Sequence, residues 1–279
     1  MMNESDHNAL VRARGLSKEY VQRRTFARSK FTVRALDSVN LTIRRGTTLA
    51  IVGESGAGKS TLVRCLSLVE RPTTGEIWWG GVDVLTLKKK VLFAMRRQVQ
   101  VIFQDATSAL NPGMTAGQII EEPLMIQGIG TKSERRQRAL DLMEQVGLPS
   151  KWASKLPMEF SGGQRQRLAI ARALALEPQL LILDEAVANL DLANQKMILQ
   201  LLSDLQASRA LTYVHVAHDL QMVADVAEEV AVMFQGKIVE QRCARELFAH
   251  AEHPYTQELV AAAPALETIV AARPAWDCL

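Results

Sequence analysis

A glycine-rich segment, GESGAGKS, has the residue types and the spacing of a phosphate-binding loop. Gly53, Gly58, Lys59 and Ser60 satisfy the pattern GxxxxGK[ST]. Glycines let successive backbone N–H groups point inward at phosphate oxygens, and larger side chains would block that concavity. Lys59 can neutralise charge on the β- and γ-phosphates, and the Ser60 hydroxyl can bind Mg²⁺. The segment therefore predicts a site for a nucleoside triphosphate with Mg²⁺.

A second segment that could hold a phosphate begins at Ser161. The stretch FSGGQRQRLAIARAL, residues 160–174, reads as a serine cap, two glycines and an alanine-rich helix. The N–H groups at the start of such a helix can bind an anion. No internal repeat accompanies the two segments, so we expect one nucleotide site per chain rather than two in tandem.

Polar side chains follow several apolar, strand-like runs. Asp184 and Glu185 end LLILDE, Gln104 ends VQVIFQ, and His218 follows LTYVHVA. Ligands of parallel sheets collect at the carboxyl ends of the strands, so these residues are candidates for the same site. Asp184 can hold Mg²⁺ opposite Ser60, and Glu185 can polarise an attacking water. Gln104 offers an amide to metal or water, and His218 is placed to touch a γ-phosphate.

The elements that must position these residues read as an α/β fold. Short apolar runs without alternation, typical of strands buried on both faces, occupy 47–52, 180–185, 211–218 and 230–234. Helical stretches separate them, which indicates a doubly wound sheet with right-handed crossovers. Residues 105–178 hold loops and helical segments without a convincing strand, so we expect a helical insert there.

The composition is that of a globular protein with no strong attraction to nucleic acid. Of 279 residues, 48% are hydrophobic and 23% are charged, and 33 basic against 30 acidic residues give a net charge of +3. The cysteines have no CxxC spacing, which argues against a zinc site. Residues 1–14 do not read as a signal peptide, and no apolar run reaches the ~18 residues of a spanning helix. We therefore expect a cytoplasmic protein that reaches any membrane through partner subunits.

The order of the motifs resembles that of the ATP-binding subunits of ABC transporters over nearly the whole chain. GESGAGKS, VIFQD, FSGGQRQR, LLILDEA, LD and a histidine follow one another as in that family. The resemblance implies a P-loop NTPase of the α/β class with a doubly wound, mostly parallel sheet, an N-terminal antiparallel β region and a helical subdomain over 105–178. It also implies an ATP-binding domain over 1–252 and a C-terminal extension over 253–279.

The same resemblance assigns roles to single residues. In ATP hydrolysis Glu185 would position water, Lys59 and His218 would stabilise developing charge, and Gln104 would serve as the Q-loop glutamine. Ser60, Gln104 and Asp184 would hold Mg²⁺, and Tyr20 in LSKEY would stack on adenine. The residues implied to bind ATP are Tyr20, Gly53, Glu54, Ser55, Gly56, Ala57, Gly58, Lys59, Ser60, Thr61, Ser161, Gly162, Gly163, Gln164 and the D-loop Asp191.

The resemblance also accounts for the two phosphate-binding segments. In the family, two ATP-binding subunits meet head to tail. The signature turn of one, which corresponds to residues 161–164 here, closes over the γ-phosphate held by the P-loop of the other. The implied partners are a second, similar ATPase, two transmembrane permease subunits and an extracytoplasmic substrate-binding protein. The implied location is the cytoplasmic face of the membrane, where the chain would be peripheral.

Further segments resemble the importers of oligopeptides, dipeptides and nickel. QDATSALNPGMTAGQIIEEPL and HPYTQEL match that group, and residues 21–41 look like the second of its two unlike ATPase subunits. DEAVANLD is closer to the nickel-importing branch, so peptide and nickel or metal–chelator cargo both stay open. A soluble ATPase of the phosphonate carbon–phosphorus lyase type, which shares HPYT, is the alternative. A non-catalytic regulatory module is a third reading, against which the intact Lys59, Asp184, Glu185 and His218 argue.

Overall fold

The computed structural model describes residues 8–23, 30–104, 109–188, 190–263 and 266. The strands, in chain order, are β1 (Ala9–Arg23), β2 (Lys30–Arg44), β3 (Thr48–Val52), β4 (Thr74–Trp79), β5 (Val82–Asp83), β6 (Val99–Ile102), β7 (Leu180–Asp184), β8 (Thr212–Ala217), β9 (Glu229–Phe234) and β10 (Lys237–Cys243). The α-helices are α1 (Lys59–Leu66), α2 (Lys89–Met95), α3 (Ala116–Ile126), α4 (Lys132–Gln145), α5 (Gly162–Leu174), α6 (Leu192–Arg209), α7 (Leu220–Val226), α8 (Ala244–Ala249) and α9 (Pro254–Ala261).

These elements fall into two compact units. The first unit comprises the described residues within Met1–Lys89 and Thr212–Leu279, and the second those within Lys90–Leu211. No helix in the described part of the chain is long and apolar enough to cross a membrane.

The first unit contains an antiparallel sheet and a set of mostly parallel strands. The antiparallel sheet has the order β2-β1-β4-β5, and the second set has the order β10-β9-β3-β8. In that set β3 pairs in parallel with both β8 and β9, and β10 returns antiparallel to β9. All five residues of β3 are buried, as expected for a central strand with apolar cover on both faces.

The core of the first unit is completed by its C-terminal helices. Val52, Val230 and Val232 of the central strands pack in one apolar cluster with Leu247 of α8 and Tyr255 of α9. Burial of such aliphatic and aromatic side chains contributes about 1.5–3 kcal/mol each. Of the predicted extension, residues 253–263 and 266 are described and pack here; 264–265 and 267–279 lie outside the described residues.

The second unit combines a parallel strand pair with helices. β6 pairs in parallel with β7, and α3, α4, α5 and α6 belong to the same unit. Between residues 109 and 178 the structure describes helices and turns without a strand, while 105–108 of the predicted helical insert lie outside the described residues. The helices begin at well-formed caps, for example Thr131, whose hydroxyl accepts a hydrogen bond from the Glu134 N–H at the start of α4.

The predicted fold class is confirmed: the chain is an α/β protein with a mostly parallel sheet, an N-terminal antiparallel region and a helical part. Five predicted strand ends, at 47, 185, 211, 218 and 230, were wrong by one residue. Glu185 leaves β7 because its backbone has a φ of 51°, which a strand cannot accommodate. β3 begins at Thr48, although the Thr47 carbonyl still accepts from the Tyr213 N–H of β8, and the Thr47 hydroxyl donates to the Arg44 carbonyl in the preceding turn. β8 excludes both Leu211 and His218. The predicted domain boundaries stay predictions.

Candidate functional site

The glycine-rich loop at residues 53–60 lies between the buried strand β3 and helix α1. Gly53 has a φ of 147°, and a Cβ at this position would lie 2.1 Å from the carbonyl oxygen of Met233. Gly58 has a φ of 105°, and its Cβ would lie 2.5 Å from the carbonyl oxygen of Ala35. Both positions therefore require glycine, for backbone conformation and for space.

Helix α1 begins at a residue that has no side chain with which to cap it. Its N-cap is Gly58 in a left-handed conformation, and its first turn carries no acidic residue. The helices α3, α5, α6 and α7 all begin with a side chain that accepts from the first turn. The N–H groups at a helix start, together with the positive end of the helix dipole, favour an anion. Ser60 and Thr61 lie in this first turn, and Ser60 is exposed.

Lys59 is folded into the loop that it follows. Its side chain is buried, with a fractional exposure of 6% for the residue. The ammonium donates to the Gly53 carbonyl over 2.6 Å and to the Glu54 carbonyl over 2.9 Å. A buried ammonium needs such partners, because an uncompensated charge in the interior is very costly. The lysine is thereby held in the cradle that the loop forms.

Two hydrogen bonds connect the loop to residues outside it. The Gly236 N–H, in the turn between β9 and β10, donates to the Ala57 carbonyl over 2.9 Å. The Glu54 N–H donates to the phenol oxygen of Tyr255 over 2.9 Å. Tyr255 was not among the residues predicted for this site. HPYT indicated only a resemblance to a protein group, and no local sequence pattern connects Glu54 with Tyr255, which are 201 positions apart.

His218 lies at the same sheet edge as the loop. In the parallel pairing of β3 with β8, Val52 is level with Ala217, so Gly53 and His218 leave neighbouring strands side by side. The His218 side chain is exposed there. Inside the same strand, His215 is buried, and burial lowers its pKa to about 4, so it is a neutral core residue at physiological pH.

Tyr20 lies in β1, close to helix α1. Its hydroxyl donates to the Glu70 carboxylate over 2.6 Å, and the Lys18 ammonium lies 5.1 Å from the ring centre. Burial and the bond to Glu70 raise the pKa of Tyr20, an effect moderated by Thr61 of α1. The ring is thus held close to the first turn of the helix that follows the phosphate loop. Its role in stacking on adenine stays a prediction.

In the second unit, the three polar strand-end residues lie at one edge of the parallel pair. Ile102 of β6 is level with Leu183 of β7, so Gln104 and the pair Asp184–Glu185 follow neighbouring strands at the same end. Asp184 is buried, Glu185 is half-buried and Gln104 is exposed. The positive φ of Glu185 turns the chain out of the strand directly after Asp184.

Ser161 is the N-cap of α5 and belongs to a capping box. The Ser161 hydroxyl accepts from the Gln164 N–H over 3.4 Å, and the Gln164 side chain accepts from the Ser161 N–H over 3.0 Å. Ser161 and Gly162 are exposed, whereas Gly163 is buried. The turn thus presents the start of a 13-residue helix to its surroundings.

Asn194, which the sequence analysis missed, links the signature turn to the D-loop. A Cβ at Gly163 would lie 2.6 Å from the Asn194 side-chain oxygen, so any larger residue there would displace the Asn194 side chain. Asp191 caps α6 and accepts from the backbone and the side chain of Asn194 over 2.9 and 2.6 Å. The backbone bond from Asn194 is the main cause of the lowered pKa of Asp191. Asn194 therefore lies against both the turn at Ser161–Gly163 and the helix cap at Asp191.

The residues predicted to hold Mg²⁺ have donor atoms of the right type. Ser60 in the first unit carries a hydroxyl oxygen, and Gln104 and Asp184 in the second unit carry amide and carboxylate oxygens, which this hard cation prefers. Within the described ranges, no three or more His, Cys, Asp and Glu side chains form a group that could hold a metal by themselves.

The sequence is similar to transporter proteins. Residues 36–188 match the family model described as ABC transporter. A probable peptide ABC transporter ATP-binding protein of Sinorhizobium fredii is 46% identical over 258 residues, 92% of this chain and 73% of that protein. The dipeptide transport ATP-binding protein of Haemophilus influenzae is 42% identical over 95% of this chain and 82% of its own length. The Escherichia coli protein of the same description is 43% identical over 92% and 77%.

The fold is similar to solved ATP-binding cassettes. A dimeric cassette in a post-hydrolysis state, bound to ADP and Pi, aligns with a TM-score of 0.72 at 31% identity, over 84% of this chain and 98% of that one. A component of an ABC transporter complex from Clostridium perfringens aligns with a TM-score of 0.74 at 25% identity, over 95% and 99%. Both likenesses extend over most of this chain.

Proposed function

The chain belongs to the ABC transporter family, whose ATP-binding proteins couple ATP hydrolysis to transport, and from this premise we propose that it energises an importer of peptides. The observation that carries the nucleotide-binding part is the P-loop itself. Two of its glycines cannot be replaced, Lys59 is held inside it, and the helix behind it begins at a glycine with no acidic residue in its first turn. This is a prepared site for the β- and γ-phosphates of ATP.

In this proposal each polar residue of the site helps to bind or to hydrolyse the nucleotide. The P-loop N–H groups and Lys59 bind the phosphates, and Tyr20 stacks on adenine. Glu185 holds the attacking water and accepts its proton, while His218 contacts the γ-phosphate. Ser60, Asp184 and Gln104 would hold Mg²⁺, which when bound would neutralise charge on the phosphates.

The signature turn serves a second ATPase subunit. Ser161 and Gly162 are exposed at the start of α5, so their polar groups are accessible to a ligand bound elsewhere. A similar protein has been solved as a dimer with ADP and Pi. In our proposal the turn of each subunit closes over the γ-phosphate bound by the other, and ATP holds the two subunits together until hydrolysis separates them.

A cleft in the second unit suits the membrane partners. It has a volume of about 430 Å³ and is lined by β6, α3 and α5. Apolar side chains around it are exposed, with fractions of 38% for Phe103 and 58% for Ile126. Exposed apolar surface of this kind marks a protein interface. We assign the cleft to a short apolar cytoplasmic segment of a permease subunit, which places the chain at the cytoplasmic face of the membrane.

Peptide is the transported substrate that the similar proteins favour. The similar proteins described above are named for peptides or dipeptides, which favours peptide over nickel and favours transport over the carbon–phosphorus lyase alternative. An import system of this kind needs an extracytoplasmic binding protein to deliver the cargo, and we include one in the proposal.

A pull-down tests the assembly. The tagged chain is purified from its native cells in mild detergent, and co-purifying proteins are identified. We expect two multi-span membrane proteins, a second similar ATPase and a peptide-binding protein. An eluate that contains soluble enzymes alone would contradict the transport proposal and leave the ATP site unaffected.

A further inference from the structure

We propose that Tyr255 is a positioning residue for the nucleotide site, whose hydroxyl fixes the peptide unit between Gly53 and Glu54 in the orientation that Lys59 requires. The inference rests on the proposed function, because it concerns the same P-loop. It adds a residue from outside every motif that assigned the site.

Both polar groups of the peptide unit between Gly53 and Glu54 are hydrogen-bonded to side chains. The carbonyl of that unit belongs to Gly53 and accepts from the Lys59 ammonium over 2.6 Å. The N–H of the same unit belongs to Glu54 and donates to Tyr255 over 2.9 Å. Because a peptide unit is planar, the direction of its N–H fixes the direction of its carbonyl. Tyr255 therefore sets where the lysine finds its partner.

This peptide unit needs an external holder. It follows Gly53, which lacks the Cβ that restricts backbone rotation in other residues. Without the bond to Tyr255, the unit could rotate and turn its carbonyl away from Lys59. A buried ammonium that loses a partner would move or attract water, and the cradle would no longer be prepared for phosphate.

Tyr255 is itself rigidly held. Its ring stacks on Phe234 with centres 4.3 Å apart, and the residue is 7% exposed. Its own N–H donates to the Nδ1 atom of His253, the N-cap of α9. The Glu240 carboxylate accepts from the N–H groups of Glu252 and His253 over 3.1 Å each, which anchors the start of the helix. A phenol held this firmly can constrain the loop that it contacts.

The test compares Tyr255→Phe with a matched control. The phenylalanine keeps the stacking on Phe234 and removes only the oxygen that holds the Glu54 N–H. We expect the Kd for Mg-ATP, measured by titration calorimetry on the full chain, to rise about fivefold, as when a fifth of the loops remain competent. The control, Tyr213→Phe, makes the same chemical change at a buried tyrosine near the start of β8, at the opposite end of the strand from His218, and we expect its Kd to stay within about twofold.

A double mutant separates positioning from loose packing. If Tyr255 acts through Lys59, adding Tyr255→Phe to a Lys59→Ala chain changes the remaining affinity by less than about twofold. An unchanged Kd in Tyr255→Phe, equal losses in Tyr255→Phe and Tyr213→Phe, or additive losses with Lys59→Ala would each overturn the inference. A wild-type chain that does not bind ATP would overturn the proposed function as well.

Hydrogen exchange on the wild-type chain needs no variant. In the nucleotide-free protein we expect the Glu54 amide to exchange more slowly than the amides of Ser55 and Gly56, which are exposed. Equal, fast exchange at all three would contradict the bond to Tyr255.

Discussion

Replacing Glu185 by glutamine tests the assignment of the water-positioning carboxylate. Glu185 is half-buried and has a φ of 51° directly after the buried Asp184. Glutamine has nearly the same volume and tolerates this backbone no worse, so the fold and the edge of β7 are preserved. The variant loses only the negative charge and the ability to accept a proton.

The magnitude follows from the role. A positioned general base contributes about 10²–10⁴-fold to rate, or about 3–5 kcal/mol of transition-state stabilisation. We therefore expect kcat for phosphate release to fall by that factor, while the Kd for Mg-ATP changes by less than about twofold. Phosphate release by the full chain and titration calorimetry measure the two quantities.

Glu177→Gln is the matched control. Glu177 belongs to the same unit, has a φ of 49°, and carries an ion pair with Arg138 over 2.8 Å on a side chain that is 72% exposed. The same chemical change is thus made in the same backbone conformation, away from the strand edge. Such an exposed pair contributes little, so turnover should be unaffected. The reasoning fails if Glu185→Gln hydrolyses ATP at the wild-type rate, or if both variants lose turnover equally.

Three other predictions concern the loop, the second subunit and pH. Lys59→Ala should weaken ATP binding by about 10–100-fold, because charge-assisted bonds to phosphate are lost, and an unaltered Kd in a calorimetric titration would count against the P-loop assignment. In the complex with its partner ATPase, Ser161→Arg should impair the site whose P-loop belongs to the partner subunit and leave the Kd of the chain's own P-loop for Mg-ATP within about twofold; a loss confined to the chain's own P-loop site would argue that both segments serve the same chain's nucleotide. Burial raises the pKa of Glu240, but the N–H groups of His253 and Glu252 outweigh it, so the net pKa is lowered. The stabilisation that this lowered pKa provides is fully present above the pKa of the unfolded state and is lost as pH falls through the pKa of the folded state. The decrease in Tm at acidic pH should therefore be smaller in Glu240→Gln, as a series of thermal melts from neutral to acidic pH would measure.

The positions of the candidate site's motifs were predictable because the motifs are local. A P-loop, a capping box or an acidic strand end is set by residues within one turn or one strand, so the spacing of GESGAGKS and FSGGQ was enough to indicate them. The predicted strand ends were less accurate, since a single feature such as the φ of Glu185 decides where a strand stops.

The sequence by itself determined the fold class, the phosphate loop and the identities of the polar residues at the strand ends. Only the tertiary structure decided which neighbours these residues have. The pairing of β3 with β8 places His218 beside Gly53, and the packing of α9 brings Tyr255 to the Glu54 N–H across 201 positions. Asn194 meets Gly163 in the same way, through the approach of α6 to α5. Such contacts depend on burial and strand register, which many distant residues set together, and no short pattern records them.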